Sequence, residues 1–108
     1  NNIIKNLKKH SNKEKYFFSS IKSNHRKFEE KRYWRGPVWI NCNWIIYQGL
    51  KNKDNRFANQ IKKKTIDLVK QKGFNEYFSC KTGKGFGATN FSWTASLFLD
   101  LILENKYE

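Results

Sequence analysis

The chain has 108 residues and a hydrophobic fraction of 38%, which is enough for one small domain with a single core. Its net charge of +13 comes mainly from lysines scattered along the sequence, whereas nucleic-acid sites favour clustered arginines. No stretch reaches the roughly 18 consecutive apolar residues of a membrane span. Neither nucleic acid nor a membrane is therefore the expected partner.

The two cysteines, Cys42 and Cys80, stand in unrelated sequence contexts and match neither a disulfide framework nor a zinc motif. We expect two free thiols, which fits a reducing, cytoplasmic location. We expect no metal and no other cofactor. The chain also contains no methionine, which indicates a piece of a longer protein.

The first half of the chain predicts two helices separated by a long loop. Apolar residues at helical spacing predict a helix within residues 1–10, and the polar residues 11–32 predict the loop. Residues 38–50 are apolar on nearly every face and follow Pro37, which suits the first turn of a helix. This second helix is expected to be buried on most sides.

The next helix is expected to be amphipathic, with Asp54 or Asn55 as its cap and Gly73 as its stop in a left-handed conformation. One face is apolar and the other is rich in lysine, so the helix is expected at the outside of the fold. The apolar stripe comprises Phe57, Ala58, Ile61, Thr65, Leu68 and Val69, and the polar face carries Lys62, Lys63, Lys64, Lys70 and Lys72.

An aromatic run at residues 74–78 and a glycine-rich turn at residues 82–87 precede a last helix over residues 93–103, which is again apolar nearly all round. The order of buried, amphipathic and buried helices predicts an all-α fold that is part of an (α/α) barrel, with buried inner and amphipathic outer helices. The inner helices of such a barrel begin at one rim, so residues 33–39 and 74–91 are expected to meet. Three helices cannot close a barrel, and this geometry implies missing chain.

Glu76 is the candidate catalytic residue, because it is a lone acid among aromatic rings at the predicted rim. The alternative is a structural acid that pairs with Arg35 or with a lysine. Glycoside hydrolysis needs two carboxylates, and no second acid in the sequence stands out as the partner of Glu76.

Trp34 and Trp39 offer flat apolar faces for a sugar ring, and Arg35 offers hydrogen bonds to its hydroxyls. Tryptophans at helical spacing are also typical of a core, which is the expected place of Trp44. The aromatic residues and the basic charge leave a further alternative open, a module that binds single-stranded nucleic acid by stacking.

Four ordered motifs within residues 17–104 resemble the C-terminal end of family 63 glycoside hydrolases, nearest the bacterial branch that includes mannosylglycerate and glucosylglycerate hydrolases. The motifs are Tyr33-Trp34-Arg35-Gly36-Pro37-Val38-Trp39-Ile40-Asn41, Asn43-Trp44-Ile45-Ile46-Tyr47-Gln48-Gly49-Leu50, Gly73-Phe74-Asn75-Glu76-Tyr77-Phe78 with Thr82-Gly83 and Gly85, and Phe91-Ser92-Trp93-Thr94-Ala95 with Leu99-Asp100.

The resemblance implies an inverting α-glycosidase on an (α/α)6 barrel, the six-hairpin glycosidase fold. Residues 1–108 would be the C-terminal fragment of that one catalytic domain, with the motif-bearing helices in residues 33–104. Glu76 matches the family's general base, which activates water. Its partner would be a small carbohydrate, and the site requires the missing N-terminal part of the same barrel, which carries the general acid. The substrate-binding positions are Tyr33, Trp34, Arg35, Trp39, Tyr77, Phe91 and Trp93.

One position departs from the glycerate-specific members of the family. They carry a glutamine immediately before the Ser-Trp-Thr motif, where this chain has Phe91. A small α-glucoside or α-mannoside is therefore expected as substrate, and the glucosylglycerate or mannosylglycerate type is in doubt. An inactive, truncated remnant is the remaining alternative to an enzyme.

Overall fold

Four helices and one short hairpin follow one another in the computed structural model, which describes residues 2–107 and, for 105–107, the backbone alone. α2 packs against both α3 and α4, and the strands pair antiparallel with Tyr77 opposite Phe86. The helices confirm the expected order, whereas the hairpin was not predicted. The elements are α1 (Asn2–Asn12), α2 (Ile40–Leu50), α3 (Asn55–Lys72), β1 (Tyr77–Phe78), β2 (Gly85–Phe86) and α4 (Ser92–Tyr107).

α3 has the boundaries that its sequence predicts. The Asp54 carboxylate accepts a hydrogen bond from the Phe57 backbone N–H at 3.1 Å, which caps the first turn. Every residue of the predicted apolar stripe is buried. The helix ends before Gly73, whose φ of 92° and ψ of −176° differ from the expected left-handed helical conformation. Glycine still allows the positive φ there.

Lys62 was predicted on the polar, solvent-facing side of α3, but the structure buries it. Its residue surface is 4% exposed, and its Nζ lies 3.4 Å from the Tyr47 hydroxyl and 3.9 Å from Glu104 Oε2. A lysine is buried in this way when partners on other elements compensate its charge. The lysine pattern of α3 alone does not reveal such partners.

α2 begins at Ile40, two residues after the predicted start at Val38. The reason is that Val38 forms an isolated antiparallel bridge with Phe78, with its N–H donating to Phe78 O at 2.7 Å and its carbonyl accepting from Phe78 N at 2.9 Å. These bonds hold Val38 in extended backbone. Trp39, with φ −114° and ψ 129°, occupies the N-cap position, and its side chain makes no capping hydrogen bond.

The long loop between α1 and α2 is pinned by aromatic side chains and by one buried amide. Phe17 and Phe18 belong to the core that α2, α3 and α4 share. Asn43 accepts from Phe18 N at 3.0 Å and donates from Nδ2 to Phe17 O at 2.7 Å and to Thr65 Oγ1 at 3.1 Å. The loop backbone is thereby satisfied inside the protein.

α2 and α4 are less enclosed than predicted, because each keeps apolar side chains at the surface. Ile45 of α2 is 61% exposed, and Leu99 and Leu103 of α4 are 54% and 44% exposed. Within residues 2–104, α2 and α4 are therefore only partly buried, although they pack on each other and on α3. Within residues 2–107, no helix combines the length and hydrophobicity needed to cross a bilayer.

Candidate active site

The two loops expected to share a rim are joined by backbone hydrogen bonds. The Val38–Phe78 bridge links the segment before α2 to β1, and Ser19 pairs with Val38 from the other side. The Phe91 N–H donates to Phe74 O at 2.8 Å, and the Thr94 hydroxyl donates to Asn75 O at 2.8 Å. The segment that contains Glu76 is thus fixed both to the start of α2 and to the start of α4.

Glu76 lies immediately before β1, and its side chain is half-buried. Its Oε1 accepts a hydrogen bond from the Ala88 N–H at 3.0 Å, and its Oε2 accepts from the Tyr33 hydroxyl at 3.4 Å. The Arg35 guanidinium pairs instead with Glu29 at 3.2 Å. Among the side chains that the structure describes, residues 2–104, no ion pair involves Glu76, so the alternative of a structural pair with Arg35 is wrong.

Three aromatic rings form a stack beside Glu76. The Trp34 and Trp39 rings are parallel within 12° with centroids 4.0 Å apart, and Trp39 and Tyr77 are within 21° at 5.0 Å. Trp39 is the middle ring and is only 2% exposed, whereas Trp34 is 44% exposed. The outer face of the Trp34 ring is therefore available for stacking, and the buried Trp39 ring packs against its inner face.

Tyr33 connects this stack to the carboxylate. Its ring meets Trp34, Trp39 and Tyr77 edge-on, at centroid distances of 5.5, 4.8 and 5.4 Å. Its carbonyl accepts from Trp39 Nε1 at 2.8 Å. Desolvation, and then the charge and hydrogen bond of Glu76, raise the pKa of the Tyr33 hydroxyl. The hydroxyl consequently stays protonated, as a donor to Glu76, around neutral pH.

The two remaining predicted substrate-binding residues lie at the start of α4. Phe91 is half-buried just before the helix, and Trp93 is 49% exposed in its first turn. Among the described residues, neither ring stacks on the Tyr33 ring or on its aromatic neighbours. Phe91 borders the Glu76 segment through the bond from its N–H to Phe74 O, and the role of both residues in binding remains a prediction.

Sequence reasoning missed the contribution of Ala88. It identified a glycine-rich turn at residues 82–87 but gave it no link to Glu76. The structure shows that the backbone just after this turn meets Glu76 twice, because the Glu76 N–H also donates to Ala88 O at 2.9 Å. The spacing of glycines was the only available signal.

Each of the other acids whose side chains the structure describes has a hydrogen-bond or ion-pair partner. Their partners are His10 and Ser19 for Glu14, Arg32 and Arg35 for Glu29, Ser79 for Glu30, Lys8 for Asp54, Lys63 for Asp67, Trp44 for Asp100, and Lys51 and Tyr47 for Glu104.

Comparison with known proteins gives consistent matches. The mannosylglycerate hydrolase of Rubrobacter radiotolerans is 44% identical over 80 residues, covering 71% of this chain and 18% of that protein. The mannosylglycerate hydrolase of Thermus thermophilus is 40% identical over 88 residues, covering 81% of this chain and 21% of that protein. The chain thus spans about a fifth of the length of these relatives.

A crystal structure of a GH63 mannosylglycerate hydrolase from Thermus thermophilus in complex with glucose superposes with a TM-score of 0.84 at 35% identity, covering 91% of this chain and 26% of that one. The match confirms the prediction that the four helices are part of an (α/α)6 barrel. The sequence profile of the mannosylglycerate hydrolase MGH1-like glycoside hydrolase domain matches residues 1–94. The chain therefore belongs to this family of GH63 glycoside hydrolases.

Proposed function

We propose that this chain supplies the general base and one wall of the sugar site to an inverting α-glycosidase. The observation that carries the proposal is the setting of Glu76, whose carboxylate is held by Ala88 N–H and the Tyr33 hydroxyl beside exposed Trp34. A carboxylate fixed next to an aromatic platform has the two parts that water activation on a bound sugar requires.

In this mechanism the sugar ring stacks on the outer face of Trp34. Glu76 accepts a proton from a water that attacks the anomeric carbon from the face opposite the leaving group. The Tyr33 hydroxyl stays protonated, donates to the carboxylate and keeps it oriented toward that water. The glycosidic bond breaks as the new bond to water oxygen forms, so the product has the inverted configuration.

The leaving group needs a proton from a second carboxyl. In an inverting enzyme that group lies about 6.5–9.5 Å from the base. Because this chain spans only 26% of the matched GH63 structure, we propose that the general acid comes from polypeptide outside this chain, corresponding to the N-terminal part of the barrel in the relatives. The exposed faces of α2 and α4, with Ile45, Leu99 and Leu103, are the proposed contact surface.

The proposed substrate class is a small α-mannoside or α-glucoside. Mannosylglycerate is the first compound to assay, because the similar proteins of Rubrobacter and Thermus are named for its hydrolysis. Phe91 stands where the resemblance to the family implies a glutamine in glycerate-specific members. We propose that an aglycone other than glycerate is accepted at least as well.

A chimera tests the function directly. The C-terminal segment of the Thermus enzyme that aligns with this chain is replaced by residues 1–108, and hydrolysis of mannosylglycerate and of other small α-mannosides and α-glucosides is followed by proton NMR. We expect hydrolysis with the β-anomer as the first product. A folded chimera without hydrolysis of any of these substrates, or with the α-anomer as first product, would contradict the proposal.

A further inference from the structure

We propose that Gly87 and the backbone N–H of Ala88 position the Glu76 carboxylate, by holding Oε1 and leaving Oε2 as the oxygen that accepts the proton. Both residues are positioning residues, because neither side chain contacts the reacting atoms. The catalytic meaning of this inference rests on the proposed function, whereas the geometry itself is independent of it.

The first observation is a reciprocal pair of hydrogen bonds between Glu76 and Ala88. The Glu76 N–H donates to Ala88 O at 2.9 Å, and the Ala88 N–H donates to Glu76 Oε1 at 3.0 Å. One residue therefore fixes both the backbone and the side chain of the other. A backbone N–H that donates to a carboxylate forms a charge-assisted bond, which is stronger than a bond between neutral groups.

The second observation is the space at Gly87. A Cβ placed on this residue would lie 2.5 Å from Glu76 Oε1, 2.7 Å from Tyr77 Cε1 and 2.9 Å from Glu76 Cβ. All three distances are well inside van der Waals contact. The φ of Gly87 is also +72°, where a side chain strains the backbone. Only glycine lets the chain pass so close to the carboxylate.

The hairpin brings this segment into place. β2 pairs with β1 so that Phe86 lies opposite Tyr77 and Gly85 lies opposite Phe78, and the chain then turns back across Glu76 at Gly87. A Cβ on Gly85 would lie 2.1 Å from Asn75 Cγ, so a glycine at this position also lets β2 lie close to Asn75, the residue before Glu76. The two-residue strands thus set the position of a catalytic group.

The two carboxylate oxygens of Glu76 differ in consequence. Oε1 is engaged by the rigid backbone at 3.0 Å, whereas Oε2 has the longer, 3.4 Å bond to the hydroxyl of Tyr33, a residue that is 46% exposed. A separation of 3.4 Å is longer than the roughly 2.5–3.0 Å of ordinary O–H···O hydrogen bonds, so this bond is weak. Oε2 is therefore the oxygen whose lone pair is available to a bound water.

Amide NMR tests the geometry on the chain itself. In a pH titration of the ¹⁵N-labelled protein, the Ala88 amide proton is expected to move in step with the side-chain carboxyl resonance of Glu76. In the Glu76→Gln variant this movement is expected to disappear. An Ala88 amide that is insensitive to pH, or that moves equally in the variant, would overturn the inference.

Gly87→Ala tests the catalytic consequence in the chimera described above, with Gly49→Ala as the matched control. A Cβ on Gly49 meets nothing within 4 Å in this chain, so the control adds the same methyl group on α2 without contacting Glu76. We expect Gly87→Ala to lower kcat by about 100-fold with little change in KM, because a displaced catalytic group loses reactivity at unchanged binding. The control is expected to keep the parent kcat.

The outcomes separate the two proposals. An inactive chimera together with a normal Ala88 titration would remove the proposed function and leave the positioning geometry intact. An active chimera in which Gly87→Ala retains the parent kcat would overturn the positioning role alone. If Gly87→Ala does not fold, the comparison between the parent protein and Glu76→Gln still decides whether Ala88 binds the carboxylate.

Discussion

Tyr33 contributes to the candidate site through its backbone, its ring and its hydroxyl. Its φ of 29° is unusual for a residue with a side chain, and its carbonyl is held by Trp39 Nε1 at 2.8 Å. The ring packs edge-on against three aromatic neighbours, and the hydroxyl reaches Glu76. Backbone strain of this kind persists only where the surroundings fix the residue, and here they do so beside the carboxylate.

The thiol of Cys80 is expected to be nearly inert in the folded protein. Burial, followed by the charge of Glu14, raises the pKa of Cys80 to about 11, and the residue is 2% exposed. At pH 8 about one thiol in a thousand is then ionised, and only the thiolate reacts. With a disulfide reagent at pH 8, we expect Cys80 to react at least about 100-fold more slowly in the native protein than in urea.

Equal rates in native and denatured protein would contradict this assignment. Cys42 serves as the internal comparison, because burial raises its pKa as well but its residue is only half-buried. Mass spectrometry of the labelled peptides distinguishes the two sites. The expected order of labelling in the native protein is Cys42 before Cys80.

At the residue scale, the sequence predicts candidate residues and not their contacts. Glu76 is a candidate because it is a lone acid among aromatic residues and matches the family's motif, and its catalytic role stays a prediction. The buried middle position of Trp39 and the bond from Ala88 to Glu76 were not predictable, because both depend on residues far apart in sequence. Contacts set by tertiary structure leave no local pattern to detect.

At the element scale, α3 shows what local pattern determines. Its apolar stripe, its Asp54 cap and its end before Gly73 follow from side-chain spacing and backbone preference. The hairpin and the late start of α2 do not, because two-residue strands have no periodicity and are stabilised by the bridge between Val38 and Phe78. The sequence pattern therefore predicts the helices but not the segment around β1, which joins the start of α2 to the start of α4.

An ionic cluster between α2, α3 and α4 is expected to make stability depend on pH. Glu104 Oε1 lies 2.5 Å from Lys51 Nζ, and Lys62 is buried beside Oε2. Desolvation acts to raise the pKa of Glu104, but the Lys51 hydrogen bond and the charges of Lys62 and Lys51 outweigh it and lower that pKa. A lowered folded pKa means that the unfolded state binds protons more readily.

The stabilisation is therefore fully present above the unfolded-state pKa of about 4.3 and is lost as the pH falls through the lower folded value. We expect Glu104→Gln to reduce the free energy of unfolding by about 2 kcal/mol at pH 7, because it leaves Lys62 buried without its counter-charge. Urea unfolding should show a smaller difference between variant and parent at pH 3. An equal difference at both pH values would exclude the ionic contribution.

At the scale of the whole molecule, the exposed faces of α2 and α4 are expected to contribute to assembly with the rest of the barrel and not to the folding of this chain. Leu99 and Leu103 are about half exposed, whereas Leu101 between them is 1% exposed and belongs to the core. The three leucines share one helix, so they differ mainly in what covers them. The exposed pair is where the proposed remainder of the barrel is expected to pack.

Leu99→Glu and Leu103→Glu are each expected to change the free energy of unfolding of the chain by less than about 0.5 kcal/mol. In the chimera the same substitutions should strongly reduce hydrolysis, because they place a charge in an apolar interface. Leu101→Ala is the control, with an expected loss of about 2–5 kcal/mol already in the chain alone. Full activity of both glutamate variants in the chimera would show that this face packs against nothing.

The role of Glu76 is tested most directly by the turnover of the chimera with Glu76→Gln, alongside Glu29→Gln as a control for loss of a nearby exposed carboxylate. Glu29 pairs with Arg35 and lies in the loop that carries Tyr33. General base catalysis contributes about 10²–10⁴-fold. We expect Glu76→Gln to lower kcat by about 10³-fold in a chimera that still folds, and Glu29→Gln to stay within a few-fold of the parent. Near-parental turnover in Glu76→Gln would contradict the assignment of Glu76 as the base.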